Sequence, residues 1–195
     1  IDRLETNEQK ITTVITNEGE QMPVEHVFWS GSLMSLRSIG KAPEMVPRLH
    51  YMSSIFFNYL TSENIKQGFQ WCYFGDKDAT VDRISVPRNF NSALIPQGKE
   101  GLCVEVSCQE NSHEWKDPAR FDCVLETFLL KSDLISSLNQ IDEYHVEHVH
   151  DTYPMYVLNY PRKLKTIFDW VNTTWSNMTL IGRTGRFWYN NMDNS

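Results

Sequence analysis

Gly182, Arg183, Gly185 and Arg186 stand close together near the end of the sequence, followed by the aromatic run Phe187-Trp188-Tyr189 and the polar cluster Asn190-Asn191-Met192-Asp193-Asn194-Ser195. Glycine permits backbone angles that a Cβ would forbid, so main chain here can come close to a flat or anionic ligand. The two arginines can fork onto phosphate oxygens. Asn190, Asn191 and Asp193 are good helix N-caps. A helix beginning among them would point its free N–H groups at a negative centre. The apolar residues 178–181 lead into this motif as a strand would.

The same stretch resembles the carboxyl-terminal signature of the flavoproteins with two dinucleotide-binding domains: amine oxidases, protoporphyrinogen oxidase, carotene desaturases and UDP-galactopyranose mutase. The matching positions are Gly182, Arg183, Gly185, Phe187, Tyr189, Asn191, Met192, Asp193 and Ser195. The resemblance implies FAD as cofactor, with Gly182, Arg183, Asn191, Met192 and Asp193 closing its site. The family's other half carries a strand–GxGxxG–helix for the FAD pyrophosphate. The glycines at 19, 31, 40, 68, 75, 98, 101, 182 and 185 nowhere have that spacing, and the chain starts at Ile1. The expectation is therefore the carboxyl-terminal part of a longer flavoprotein, which by itself does not hold FAD and does not turn over substrate.

Within that group the middle of the chain looks like the mutase branch. Trp71-Cys72-Tyr73-Phe74, the run around Arg83-Ile84-Ser85 and Val104-Glu105-Val106-Ser107 follow in the branch's order. The resemblance places Arg83 against the diphosphate of a nucleotide sugar. Two phosphates do need cationic forks on a fixed sheet. The competing reading is an arginine paired with Asp82, Glu105 or another neighbour on the sheet. Tyr153-Pro154-Met155-Tyr156 matches a segment that lines the cleft near the flavin ring in many relatives, so Tyr153 and Tyr189 join Arg83 as expected substrate contacts. Core packing where a strand meets a helix is the alternative for Tyr153. No residue recommends itself as a proton-transfer catalyst.

Other chemistry is poorly supported. His145, His148 and His150 sit so that a strand sends His148 and His150 to one face and His145 to the other, with no clear fourth ligand; polar alternation on an edge strand explains them better than a metal. No G-x-S-x-G nucleophile turn occurs. The net charge of −7 argues against a nucleic-acid surface, and no apolar run approaches the ~20 residues of a membrane span. Cys72, Cys103, Cys108 and Cys123 have no CxxC spacing and read as free thiols of a cytoplasmic protein. The sequons at Asn172 and Asn177 are short matches of the kind that arise by chance.

The elements that must position these residues follow from composition and period. With 41% hydrophobic and 12% aromatic residues, the 195-residue chain suits a globular core. Residues 10–18 and 25–30 read as short strands, the second ending in a small-residue turn. Residues 49–60, 69–75, 81–87 and 101–108 read as strands with close turns, hence an antiparallel sheet. Phe121, Val124, Leu125, Phe128, Leu129, Leu134, Ile135 and Leu138 share helical spacing and predict one helix over 118–138. Residues 143–149 alternate again. Pro161 opens a last helix with Leu164, Ile167, Phe168 and Val171 inward. The expected fold is α+β: an antiparallel substrate-domain sheet backed by helices, with remnants of a Rossmann-like FAD-binding domain at both chain ends. The expected division is 1–40, 41–150 and 151–195. The resemblance implies a mutase acting on a nucleotide sugar in cell-surface polysaccharide or LPS biosynthesis; an FAD-dependent oxidoreductase of the amine oxidase kind is the alternative, and a non-catalytic binding module is the alternative for the chain alone.

Overall fold

The computed structural model describes residues 1–62, 65, 67–76 and 79–191. It shows a mixed α+β fold in two compact units, Met52–His150 and the pair of end segments Ile1–Tyr51 and Asp151–Ser195.

The chain opens with an antiparallel meander of β1 (Arg3–Asn7), β2 (Lys10–Ile15) and β3 (Gln21–Pro23). β4 (Val27–Trp29) follows, then the turn Ser30-Gly31-Ser32 and helix α1 (Leu33–Ile39). Ser32 caps α1, its hydroxyl accepting from the Ser35 N–H at 3.0 Å. That bond satisfies one of the helix's unpaired donors. β2 buries Ile11, Val14 and Ile15, and α1 buries Leu33 and Leu36.

The middle unit is built on a five-stranded sheet. Its strands are β5 (Tyr51–Thr61), β6 (Trp71–Tyr73), β7 (Arg83–Ser85), β8 (Glu100–Cys108) and β9 (Ile141–Pro154), in the spatial order β6-β7-β8-β5-β9. The pairs β6/β7, β7/β8 and β8/β5 are antiparallel. Period-two alternation sends Ile55, Phe57, Tyr59, Ile84, Leu102, Val104 and Val106 to one face, where they are buried. Two short helices, α2 (Pro87–Phe90) and α3 (His113–Lys116), precede α4 (Asp122–Lys131), which packs Leu125 and Leu129 onto that face.

The helix predicted over 118–138 is shorter. Residues Pro118–Phe121 form a 3-10 turn, and α4 stops at Lys131. Asp133 is left-handed (φ 52°); its N–H donates to Leu130 O at 3.2 Å and the Leu134 N–H donates to Leu129 O at 3.1 Å. This is the Schellman arrangement, in which an apolar residue beyond the cap folds back on the last turn. Leu134 and Ile135 keep their helical spacing in sequence because they cover the same core from outside the helix.

The chain then returns to the first unit. α5 (Tyr160–Thr174) has Pro161 in its first turn and buries Ile167 and Val171, with Leu164 and Phe168 partly covered. β10 (Met178–Leu180) lies parallel to β4, with Met178 opposite Val27 and Leu180 opposite Trp29. One turn of helix, α6 (Gly182–Gly185), follows. Both end segments share a core of Ile11, Val27, Leu33, Leu36, Ile167, Val171, Trp175 and Phe187. Buried Asn177 ties them together. Its amide oxygen accepts from Ile11 N–H at 2.8 Å, and its NH2 donates to Ile11 O at 2.9 Å and Glu25 O at 2.8 Å. The Asn177 sequon is therefore closed to modification in the folded protein.

Candidate functional site

Arg183, Tyr153 and Tyr189 come together. The guanidinium carbon of Arg183 lies 5.3 Å from the centroid of each ring, and the two ring centroids are 5.6 Å apart. Arg183 Nε donates to Asn190 O at 2.8 Å, which fixes the side chain's direction. Among the described residues no carboxylate pairs with Arg183. A guanidinium between aromatic faces gains cation–π attraction without losing its charge, so it remains able to meet an anion. Tyr189 is more than half exposed, and its N–H donates to the Tyr156 hydroxyl at 2.7 Å. Tyr156 stacks on Tyr160 at the start of α5 (4.5 Å, 15°).

The backbone that carries this cluster leaves the parallel pair β4/β10 at its carboxyl end. The Ile181 N–H donates to Trp29 O at 2.9 Å, and the Thr184 hydroxyl to Ser30 O at 2.6 Å. Tyr51 bridges from the side: its hydroxyl accepts from Leu33 N–H at 3.2 Å and donates to Thr184 O at 2.8 Å, and burial pushes this phenol's pKa up. The two glycines do different work. Gly182 has φ +71°, a conformation that L side chains rarely adopt. At Gly185 a Cβ would fall 2.5 Å from Trp29 O, so the close approach that the missing side chain allows is to the protein's own β4. Beside this turn, a cleft of about 360 Å3 is lined by Phe28, Trp29, Ser30, Gly31, Ser35 and Ile39, among others. The carboxyl ends of parallel strands are where open α/β sheets take ligands.

Arg83 stands in the other unit. It is opposite Glu105 in the β7/β8 register, and its guanidinium meets Glu105 Oε2 at 2.6 Å. Glu105 is buried and also accepts from the Ser54 hydroxyl at 3.2 Å. Tyr73, opposite Arg83 on β6, lies 5.8 Å from the guanidinium carbon. Of the two sequence readings for Arg83, this geometry shows the ion pair, so its charge is matched internally, whereas among the described residues that of Arg183 is not.

Asn191 is exposed at the end of the described chain, and Met192 and Asp193 lie outside the described residues, as does the helix expected to start there. His148 and His150 do share a face, flanking Trp115 with ring centroids 4.7 and 4.8 Å away. His148 Nε2 donates to Trp115 O, and among the described residues no group of three His, Cys, Asp or Glu side chains could hold a metal ion. Sequence reasoning missed Tyr51, which supports the Gly182–Gly185 turn from 133 residues away. No local signal marks a bond of that span.

No protein-family model matches this sequence, and no curated protein matches it. Solved structures share its fold. A reduced UDP-galactopyranose mutase superposes with a TM-score of 0.66 at 16% identity, over 89% of this chain and 38% of that one. A candidate protoporphyrinogen oxidase from Exiguobacterium sp. 255-15 gives 0.59 at 11% identity, over 93% and 41%. An oxidoreductase from Methanosarcina mazei gives 0.51 at 13%, over 78% and 37%. The chain thus spans about two fifths of the length of each of these three structures.

Proposed function

We propose that this chain is the substrate-binding and flavin-closing portion of a longer FAD-dependent enzyme similar to UDP-galactopyranose mutase. The observation that carries the reading is the Arg183 guanidinium, held between Tyr153 and Tyr189 with no carboxylate partner among the described residues, at the carboxyl end of a parallel strand pair. Residues 1–40 and 151–195 belong to the FAD-binding domain on this reading, and 41–150 to the substrate domain.

The groups present fit one edge of FAD. Arg183 offers cationic N–H donors to a polar ring edge or an anionic substrate, and the tyrosines offer flat surface and phenol donors. On this reading Gly182, Arg183, Asn191, Met192 and Asp193 are the residues assigned to the cofactor. The charge of a pyrophosphate is not met here, because the sequence has no GxGxxG loop. Bound and reduced, a flavin supplies an electron-rich centre that can attack a sugar's anomeric carbon; the protein's own groups orient the sugar and steady a departing diphosphate. Arg83, held on the sheet by Glu105, is the residue that the resemblance gives to that diphosphate. The substrate is then a nucleotide sugar, in the synthesis of cell-surface polysaccharide or LPS, and the protein works in the cytoplasm.

The second reading is an FAD-dependent oxidoreductase of the amine oxidase kind. It rests on the larger share of this chain, 93%, that superposes on the oxidase fold. The test compares the longer protein with the 195-residue chain. The longer protein is expected to purify yellow and, once reduced, to interconvert ring forms of a UDP-sugar without net oxidation, followed by chromatography. The chain alone is expected to bind no FAD by flavin fluorescence or thermal shift. Net substrate oxidation by the longer protein would favour the second reading, and tight stoichiometric FAD binding by the chain alone would show the site to be complete within it.

A further inference from the structure

Among the described residues, positive φ outside glycine falls on Asn, Asp, Glu and Lys, with one exception: Phe187, at φ 52°. Short polar side chains reach this region through local hydrogen bonds, whereas a bulky one there must be held by its surroundings. Phe187 is also only 1% exposed, so the residue in the disfavoured conformation belongs to the core.

The turn it makes closes α6. The Trp188 N–H donates to Arg183 O at 2.9 Å, and the Phe187 N–H to Thr184 O at 3.4 Å. This is the same Schellman arrangement that ends α4, and its left-handed position is ordinarily a glycine. With phenylalanine there, the ring supplies the support. It stands edge-on to Tyr51, with centroids 5.0 Å apart and planes at 90°, and its centroid lies 5.9 Å from those of Tyr156 and Tyr160. Two of these tyrosines also bond to the turn: the Tyr51 hydroxyl donates to Thr184 O, and the Tyr156 hydroxyl accepts from the Tyr189 N–H. Burial of the phenyl ring is favourable and opposes the cost of the backbone angle.

The reversal at Phe187 reaches Arg183 at both ends. Arg183 O accepts from the Trp188 N–H, and Arg183 Nε donates to Asn190 O at 2.8 Å. Tyr189, between those two partners in sequence, puts its ring centroid 5.3 Å from the guanidinium carbon. All three contacts come from residues just past Phe187, so each depends on the chain folding back at that one position.

We propose that Phe187 is a positioning residue: its buried ring holds the left-handed turn that sets the Arg183 guanidinium against Asn190 and between Tyr153 and Tyr189. The bearing of this turn on the flavin rests on the reading of Arg183 given above; the hold on Arg183 itself does not.

Solvent exchange of the Arg183 Nε–H, followed by 15N NMR on the 195-residue chain, tests the hold. It should be about tenfold or more slower than that of exposed Arg162. Phe187→Leu, which keeps apolar volume without the ring, should bring the two rates within about threefold of each other. Phe187→Gly, which relieves the backbone angle, should do the same, because the ring is gone. Val171→Ala, at a buried residue of α5 in the same core, should change the Arg183 rate less than about threefold. Slow exchange retained in either Phe187 variant would show that the turn holds without the ring. An equal rise in Val171→Ala would show that Arg183 merely loosens with the core. Either result overturns the proposal. In the longer protein, Phe187→Leu should weaken FAD binding about tenfold, and no further in an Arg183→Ala background, as a residue acting through another must. Additive losses would overturn that route. FAD binding unchanged by Arg183→Ala would remove the cofactor reading instead, and the exchange rates would still decide whether Phe187 holds Arg183.

Discussion

Arg83 and Arg183 are the same side chain in two electrical settings. One faces a buried carboxylate at 2.6 Å; the other has two phenol rings and a carbonyl. A charge already matched by a buried partner contributes little to a ligand and much to the fold, because removing one member strands the other. A charge whose described neighbours are neutral keeps its attraction for an anion. In the longer protein, Arg183→Ala should therefore lower flavin content or turnover more than Arg162→Ala, which removes an exposed residue of α5. Loss of a charge-assisted bond to an anionic partner is worth roughly 1.5–3 kcal/mol, against roughly 0–1 kcal/mol for an exposed charge. Flavin content and initial rate, measured on variants of equal stability, decide it, and equal losses would remove the reason for placing Arg183 at the cofactor. The cluster of Arg183 with Tyr189 was legible because it lies within one short motif. Tyr153 was legible only through the resemblance. The Glu105 partner of Arg83 was one of several neighbours the sequence allowed, and strand register chose among them.

Among the elements, sequence period served best where one face is buried. β5 and β8 carry apolar residues at every second position, and Ile55, Phe57 and Tyr59 stand opposite Val106, Val104 and Leu102 in their antiparallel pairing. β1 and β3 were not legible, because Arg3–Asn7 and Gln21–Pro23 are almost wholly exposed and carry no apolar alternation. Over 118–138 the period misled, since Leu134 and Ile135 meet the core through a Schellman turn and not through another turn of helix. That geometry makes a prediction. Asp133 is a non-glycine residue at φ 52°, where a Cβ costs roughly 1–2 kcal/mol. Asp133→Gly should raise stability by about 1 kcal/mol, after glycine's greater loss of chain entropy is subtracted. Urea denaturation measures this; a loss of stability would mean that the Asp133 side chain supports the turn.

At the scale of the whole molecule, each unit has its own apolar core and its own sheets. The middle unit is one uninterrupted stretch, Met52–His150, whereas the other is assembled from both ends of the chain. Residues 52–150 expressed alone should fold: cooperative unfolding and dispersed amide resonances are expected, and a spectrum of a disordered chain would show that the end segments are required. No helix among the described residues is long and apolar enough to cross a membrane.

The amide of Asn177 bonds to Ile11, 166 positions earlier. On the ribosome this link sets a timetable. Residues 1–51 leave the exit tunnel long before β10, the partner of β4, has been translated, while the middle stretch is already whole. The usual amino-to-carboxyl order of domain folding is inverted. The bonds between Ile11 of β2 and Asn177 form only after residue 177 has been translated. Limited proteolysis of stalled nascent chains should find the middle stretch protected first; earlier protection of Lys10–Ile15 would contradict that timetable.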